Sequence, residues 1–131
     1  MTLTIVPFYA ACLALVFVAL SVRVIGLRRR KGVALGTRRD IDLVRATRAH
    51  ANFAEYVPLA LLLLSFVEMV SPPQFVHVLG VALIVGRVAH AFGVSREPED
   101  FRYRVTGMSL TFTVLAGASL LIIASTLVRF I

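Results

Sequence analysis

The chain has 131 residues, 59% of them hydrophobic, and a mean hydropathy of +0.88. That apolar content exceeds the roughly 45–50% of ordinary soluble domains, which excludes a water-soluble globular domain and implies an integral membrane protein with most of its exterior against lipid. The net charge of +7 sits beside apolar runs with no nucleic-acid recognition motif, so the basic residues read as lipid-headgroup contacts and topology signals rather than a nucleic-acid surface.

The first apolar run, Leu3 to Leu27, is interrupted only by Arg23 near its end and is long enough to cross ~30 Å of hydrocarbon with some tilt. It lacks the basic start and cleavage site of a cleaved signal peptide. The single cysteine, Cys12, lies inside this run, can form no intrachain disulfide, and reads as an inert thiol. Arg28 to Asp42, "RRRKGVALGTRRDID", reads as a loop. The second span covers 43–70: it begins as a polar helix and becomes apolar by Val57. "SPPQ", Ser71 to Gln74, is a sharp stop, so the second and third spans form an antiparallel hairpin. The third span covers 75–94. "SREPEDFRYR", Ser95 to Arg104, is a charged connector, and the fourth span covers 105–128. The expectation is one all-α domain over residues 1–131, a four-helix bundle in the membrane.

Basic residues concentrate after the first span (Arg28, Arg29, Arg30, Lys31, Arg38, Arg39) and after the third (Arg96, Arg102, Arg104). With four spans these loops share a side. The positive-inside rule puts them in the cytoplasm and both termini on the opposite side.

Charges in hydrocarbon are costly and face a partner, water or a ligand. Arg45, Arg48, Asn52 and Glu55 are spaced i, i+3, i+7 and i+10, which puts them on one face of the second helix, with Leu59 and Leu62 continuing the stripe. Two readings stand side by side. One is a structural network between helices. The other is a pocket for a small zwitterion or anion, with Arg for a carboxylate, Glu for an ammonium and Asn for a peptide group. The fading of the stripe into leucines argues against a transport path. Tyr56 faces roughly 100° away from Glu55, toward a neighbouring helix. In "GRVAH" of the third span, Arg87 and His90 share a face; Arg87 is expected to pair with an acid of the second helix, and His90 is either a bundle hydrogen bond or a site residue. Glu68 and His77 fall near the opposite interface, as a water-reaching acid and a polar anchor. The three histidines show no ligand spacing and there is no cysteine pair, so no metal is expected. There is neither a phosphate loop nor a nucleophile elbow. Arg102 and Arg104 are either topology signals or the source of an arginine that holds a thiolate.

"RATRAHANFAEYVP" at the start of the second span, "GRVAH" in the third and an arginine at the start of the fourth resemble the MAPEG family, the membrane-associated proteins in eicosanoid and glutathione metabolism. Length and four-span layout agree across the chain, and "HAFGVSR" is similar to the bacterial-type branch. The resemblance implies a homotrimer with glutathione bound between subunits. It also implies a membrane-bound glutathione-dependent transferase or peroxidase acting on lipophilic electrophiles that enter from the bilayer. Carried over by position, Arg48, Asn52 and Glu55 look like glutathione contacts, Tyr56 matches a tyrosine of some members, and His90 falls at a site position. Arg104 looks like the arginine that faces the glutathione sulfur, with Arg102 as its near-register rival, and Arg28 looks like a further contact. Glutathione carries two carboxylates, an ammonium and a thiol, and Arg48, Glu55 and Arg104 supply the matching types. The chemistry would belong to the thiolate, with the protein supplying orientation and charge. Two positions depart from the glutathione-using pattern: Ala51 stands where some members have another Arg, and Val94 where many carry a Tyr. The alternative is a non-enzymatic protein of this type that binds a lipid or another small anion, or acts as a membrane scaffold.

Overall fold

A computed structural model describes residues 2–130. It contains four helices: α1 (Val6–Lys31), α2 (Ile41–Val70), α3 (Pro73–Ser95) and α4 (Phe101–Phe130). Each is long and apolar enough to cross a membrane, and there is no strand among the described residues. The all-α, four-helix membrane architecture is therefore as expected.

The helix ends follow local chemistry. Asp40 caps α2, its Oδ1 accepting from the Leu43 N–H at 2.9 Å. Asp100 accepts from the Arg102 N–H at 2.9 Å and so starts α4 at Phe101 rather than at Val105. Residues 101–104, expected in the connector, are therefore helical. The first helix also runs further than expected, through Arg28, Arg29, Arg30 and Lys31, where cations complement the negative end of the helix dipole. It stops at Gly32, whose φ of 63° is a left-handed conformation that glycine adopts without strain.

The remaining loop is tied down by its own charges. Arg28 donates to the carbonyls of Ala34 at 3.2 Å and Gly36 at 3.0 Å. Lys31 bonds Asp40 at 2.5 Å and Asp42 at 2.9 Å. The bond from Lys31 holds the Asp40 carboxyl below the ordinary carboxylate range. At the other end of the bundle, Glu68 on α2 receives the start of α1. It accepts from the backbone N–H groups of Thr4 at 2.6 Å, Ile5 at 2.7 Å and Val6 at 2.8 Å.

Leu13, Phe53, Leu64, Val67, Leu83 and Val114 form the centre of the core. Large apolar side chains such as Leu15, Val78 and Leu120 stand exposed on the outer face, as lipid contact requires. The seam between α3 and α4 is the tightest. A Cβ on Gly107 would lie 2.5 Å from the Gly86 carbonyl oxygen, and one on Gly93 would lie 2.8 Å from the Arg104 N. Small residues at helix contacts let backbones approach this closely. The consequence is that Arg87 and His90 on α3 sit directly against the first turns of α4. Arg23 on α1 donates to the Ser95 hydroxyl and, at 3.3 Å, to its carbonyl, which fixes the end of α3 to the same region.

Candidate functional site

Where α3 ends and α2 and α4 begin, these helices and the connector line a cleft of about 320 Å³. That lies at the lower bound of small-ligand pockets, roughly 300–1,000 Å³. Arg45, Arg48 and Asn52 reach it from α2, His90 and Val94 from α3, Glu99 from the connector and Arg104 from α4. The helical period aligns the α2 contributors on one face. The glycine seam brings His90 and Arg104 to the opposite wall.

Glu99 organises the charges. Its Oε2 lies 3.3 Å from Arg45 Nη1 and its Oε1 lies 3.0 Å from Arg104 Nη1. The Arg104 hydrogen bond is the main reason the Glu99 carboxyl sits below the ordinary range. Arg45 keeps a buried Nε with no partner. Arg48 is exposed, and no hydrogen bond or ion pair of its side chain occurs among the described residues. Guanidinium groups with unspent donors are suited to a carboxylate.

Behind the cleft lies Arg87, only 1% exposed. It donates from Nη1 to Asn52 Oδ1 at 2.8 Å and from Nη2 to the Gly107 carbonyl at 3.5 Å, and its guanidinium lies 5.6 Å from the centre of the Tyr56 ring. The expected acid partner on α2 is thus replaced by an amide. Asn52 is level with Arg87, whereas Glu55 is exposed on the outside of the bundle. Asn52 gives its oxygen to Arg87, which leaves its amide N–H groups for whatever enters the cleft.

The structure brings together five of the polar residues singled out in the sequence: Arg45, Arg48, Asn52, His90 and Arg104. It separates the near-register pair, because Arg104 lines the cleft while Arg102 is exposed and does not. Glu55 and Tyr56 lie outside the lining; Tyr56 packs edge-on against Phe112 of α4, with ring centres 5.7 Å apart. Arg28 is held by loop carbonyls. His50, inside the same motif, faces α1: its Nε2 is 3.0 Å from Ser21 Oγ and its ring stacks on Phe17 at 4.7 Å. Since Ser21 donates to the Phe17 carbonyl at 2.9 Å, it can only accept from His50, so this pair is an inter-helix clasp and not an activated hydroxyl. Glu99 was not anticipated as a site residue. The connector carries Glu97, Glu99 and Asp100 among three arginines, and nothing in that pattern singles Glu99 out.

A profile of the MAPEG family matches residues 6–124, a span that contains every residue of the cleft. The chain belongs to the MAPEG family. This MAPEG protein is also similar to "Inner membrane protein YecN" of Escherichia coli strain K12, 37% identical over 108 residues, which cover 82% of this chain and 81% of that protein. The YecN protein of an Escherichia coli O6:H1 strain matches to the same extent. With four spanning helices and an inner-membrane relative, the MAPEG chain is a multi-pass integral membrane protein.

Proposed function

We propose that this protein is a membrane-bound glutathione-dependent transferase or peroxidase acting on lipophilic electrophiles. The observation that carries the reading is the cleft itself: three arginines, one carboxylate, an amide and a histidine converge at the charged end of an otherwise apolar bundle. A water-soluble peptide thiol could meet a lipid-dissolved partner there. The donor set fits glutathione. Arg48 and the unpaired Nε of Arg45 suit its carboxylates, the Asn52 amide suits a peptide carbonyl, and half-exposed Arg104 suits a thiolate. A guanidinium beside a thiol favours the thiolate. Bound glutathione would supply the nucleophile, while the protein orients it and holds its charge.

The reading includes a homotrimer, with the basic loops in the cytoplasm and both termini on the opposite side. Glu55 supports the assembly: a carboxylate exposed on a membrane-crossing helix calls for cover, and a second copy would supply it. Membrane lipids and the lipophilic substrate are the other partners.

Calorimetric titration of the detergent-purified protein with glutathione tests the reading. Wild type should bind at millimolar concentration or below. Arg48→Ala should bind about tenfold more weakly, the equivalent of one charge-assisted hydrogen bond. Arg104→Ala should retain binding but lose the ultraviolet absorbance of the bound thiolate. No heat from wild type at millimolar glutathione would sink the proposal. Binding without turnover of any lipophilic electrophile or hydroperoxide would favour the non-enzymatic alternative. Chemical cross-linking that stops at the monomer would remove the trimer.

A further inference from the structure

We propose that the α1–α2 loop is a binding site for anionic phospholipid, in which Arg29, Arg30, Arg38 and Arg39 meet the lipid phosphates while Leu35 enters the top of the acyl layer. The proposal rests on the membrane placement of the bundle and not on the glutathione reading.

The first observation is which cations are free. Residues 28–42 carry six cations against two acids, Asp40 and Asp42. Two of the six are engaged inside the loop: Arg28 donates to the Ala34 and Gly36 carbonyls, and Lys31 takes both acids. The other four are exposed, and their side chains make no hydrogen bond or ion pair among the described residues. Arg38 and Arg39 also hold φ angles of 47° and 60°. Left-handed backbone is costly for a residue with a Cβ, and no side-chain contact of either arginine among the described residues offsets it.

The second observation is Leu35, 87% exposed in a charged loop outside the four helices. Exposure of Leu15 or Leu120 is met by lipid along a spanning helix; Leu35 has to find its hydrocarbon at the loop. The third is the level at which the loop lies. The 26 residues of α1 run about 39 Å, more than the roughly 30 Å of hydrocarbon, so its basic last turns stand among the headgroups. The loop does not rise into water from there. Val33 is buried against Leu27, Leu43 and Ala46, and Arg28, one turn before the helix end, grips the carbonyls on either side of Leu35. Leu35 is thereby folded back beside the last turn of α1, where headgroups give way to acyl chains.

An apolar tip framed by free guanidiniums matches both parts of an anionic lipid. Each cation near such a surface strengthens the attraction about fivefold, and salt screens it. A free phosphate would satisfy the arginines but leave Leu35 in water, so the lipid is the occupant.

The chain has no tryptophan, so Leu35→Trp supplies a single fluorescent reporter at the tip. The variant is placed in nanodiscs of fixed phosphatidylcholine and phosphatidylglycerol content. In one set the phosphatidylglycerol carries bromine on the acyl carbons near the headgroup; in the other an equal amount of phosphatidylcholine does. Both leaflets have the same composition, so orientation does not affect the reading. Blue-shifted emission is expected, with quenching that reports at least about fivefold enrichment of phosphatidylglycerol over phosphatidylcholine at low salt and less at high salt. Changing Arg29, Arg30, Arg38 and Arg39 together to glutamine should bring the enrichment below about twofold. Arg129→Gln, at the opposite end of the bundle, should leave it intact. The emission of a water-exposed indole, equal quenching by the two lipids, or unchanged enrichment in the fourfold variant would overturn the proposal. If that variant does not assemble, the reporter with its four arginines still decides, because enrichment that ignores salt would overturn the proposal as well. Blue-shifted emission that neither lipid quenches would do the same and would make a second copy of the chain the cover of Leu35. Loss of the enrichment in millimolar inorganic phosphate at constant ionic strength would also overturn it, in favour of a free-anion site.

Discussion

The contact between Arg87 and Asn52 makes a prediction whose two halves differ in size. Arg87 is 1% exposed and has no carboxylate partner among the described residues. Its one short bond is to Asn52 Oδ1 at 2.8 Å; the Gly107 carbonyl, at 3.5 Å, is at the limit of a hydrogen bond, and Arg87 Nε has no partner. Asn52→Leu would therefore leave a buried cation with only that long bond, the Met108 sulfur at 3.3 Å and the face of Tyr56. Losing a hydrogen bond to a charged group, with the charge still buried, should cost about 3 kcal/mol. Arg87→Met removes the charge together with its desolvation. Asn52 is only half-buried, and water in the cleft can reach its oxygen, so the cost should stay within about 1 kcal/mol. Adding Asn52→Leu to Arg87→Met should then cost about 1 kcal/mol, which makes the coupling about 2 kcal/mol. Reversible unfolding in mixed dodecylmaltoside and dodecyl sulfate micelles would measure all four corners of the cycle. A coupling below about 0.5 kcal/mol, or an Arg87→Met loss larger than that of Asn52→Leu, would refute the reasoning.

Gly107→Ala would put a Cβ 2.5 Å from the Gly86 carbonyl oxygen and 2.6 Å from the His90 N, both backbone atoms. The helices would have to separate, and a loss of about 2 kcal/mol or more is expected in the same micelle assay, with weaker glutathione binding. Gly26→Ala, where nothing lies within 4 Å, should be neutral or stabilising by up to about 1 kcal/mol. Glu68→Ala removes the acceptor of three backbone N–H groups at the start of α1, so amide exchange at Ile5 and Val6 should accelerate while the cleft end is unchanged. The Glu99 clamp should depend on pH in one direction. Its carboxyl is held below the ordinary range, so the clamp is complete above the unfolded value of about 4.3 and is lost as pH falls through the lower folded value. Exchange in the 96–100 connector, corrected for the intrinsic pH effect, should rise only in that acid window, and Glu99→Gln should flatten the dependence.

What the sequence disclosed divides by range. The spans were legible because each is a continuous apolar run, and the partnership of Arg48 with Asn52 was legible because the helical period is local. The choice between Arg102 and Arg104 was not. It depends on where α4 begins, and Asp100 sets that by capping the helix before Phe101. Arg87 was expected to seek an acid because opposite charges attract. What decided its partner was the side of α2 that each residue takes: Asn52 turns inward to Arg87, whereas Glu55 is exposed on the outside of the bundle. Glu68 had a signal that a stricter accounting would have used. The first helix starts at Ile5 and Val6 with no side-chain cap, so its first N–H groups required an acceptor from elsewhere.

The site and the α3–α4 seam are one construction. Gly86 and Gly107 bring the two backbones into contact, and Gly93 carries that contact up to the Arg104 N. Without it, Arg104 would stand away from His90, whereas its pairing with Glu99, five residues back, is local. Glu99 in turn reaches back to Arg45, so α2, the connector and α4 are joined through a single carboxylate. A charged cleft built this way needs no acid inside the membrane-crossing part of the bundle. Arg87, buried there, has no carboxylate to neutralise it among the described residues and is satisfied mainly by Asn52. Asn52 thus serves two neighbours at once, with its oxygen turned to the buried arginine and its amide to the cleft. Ligand binding and bundle stability should therefore respond together to substitution at Asn52, and separately at Arg48, which touches only the cleft.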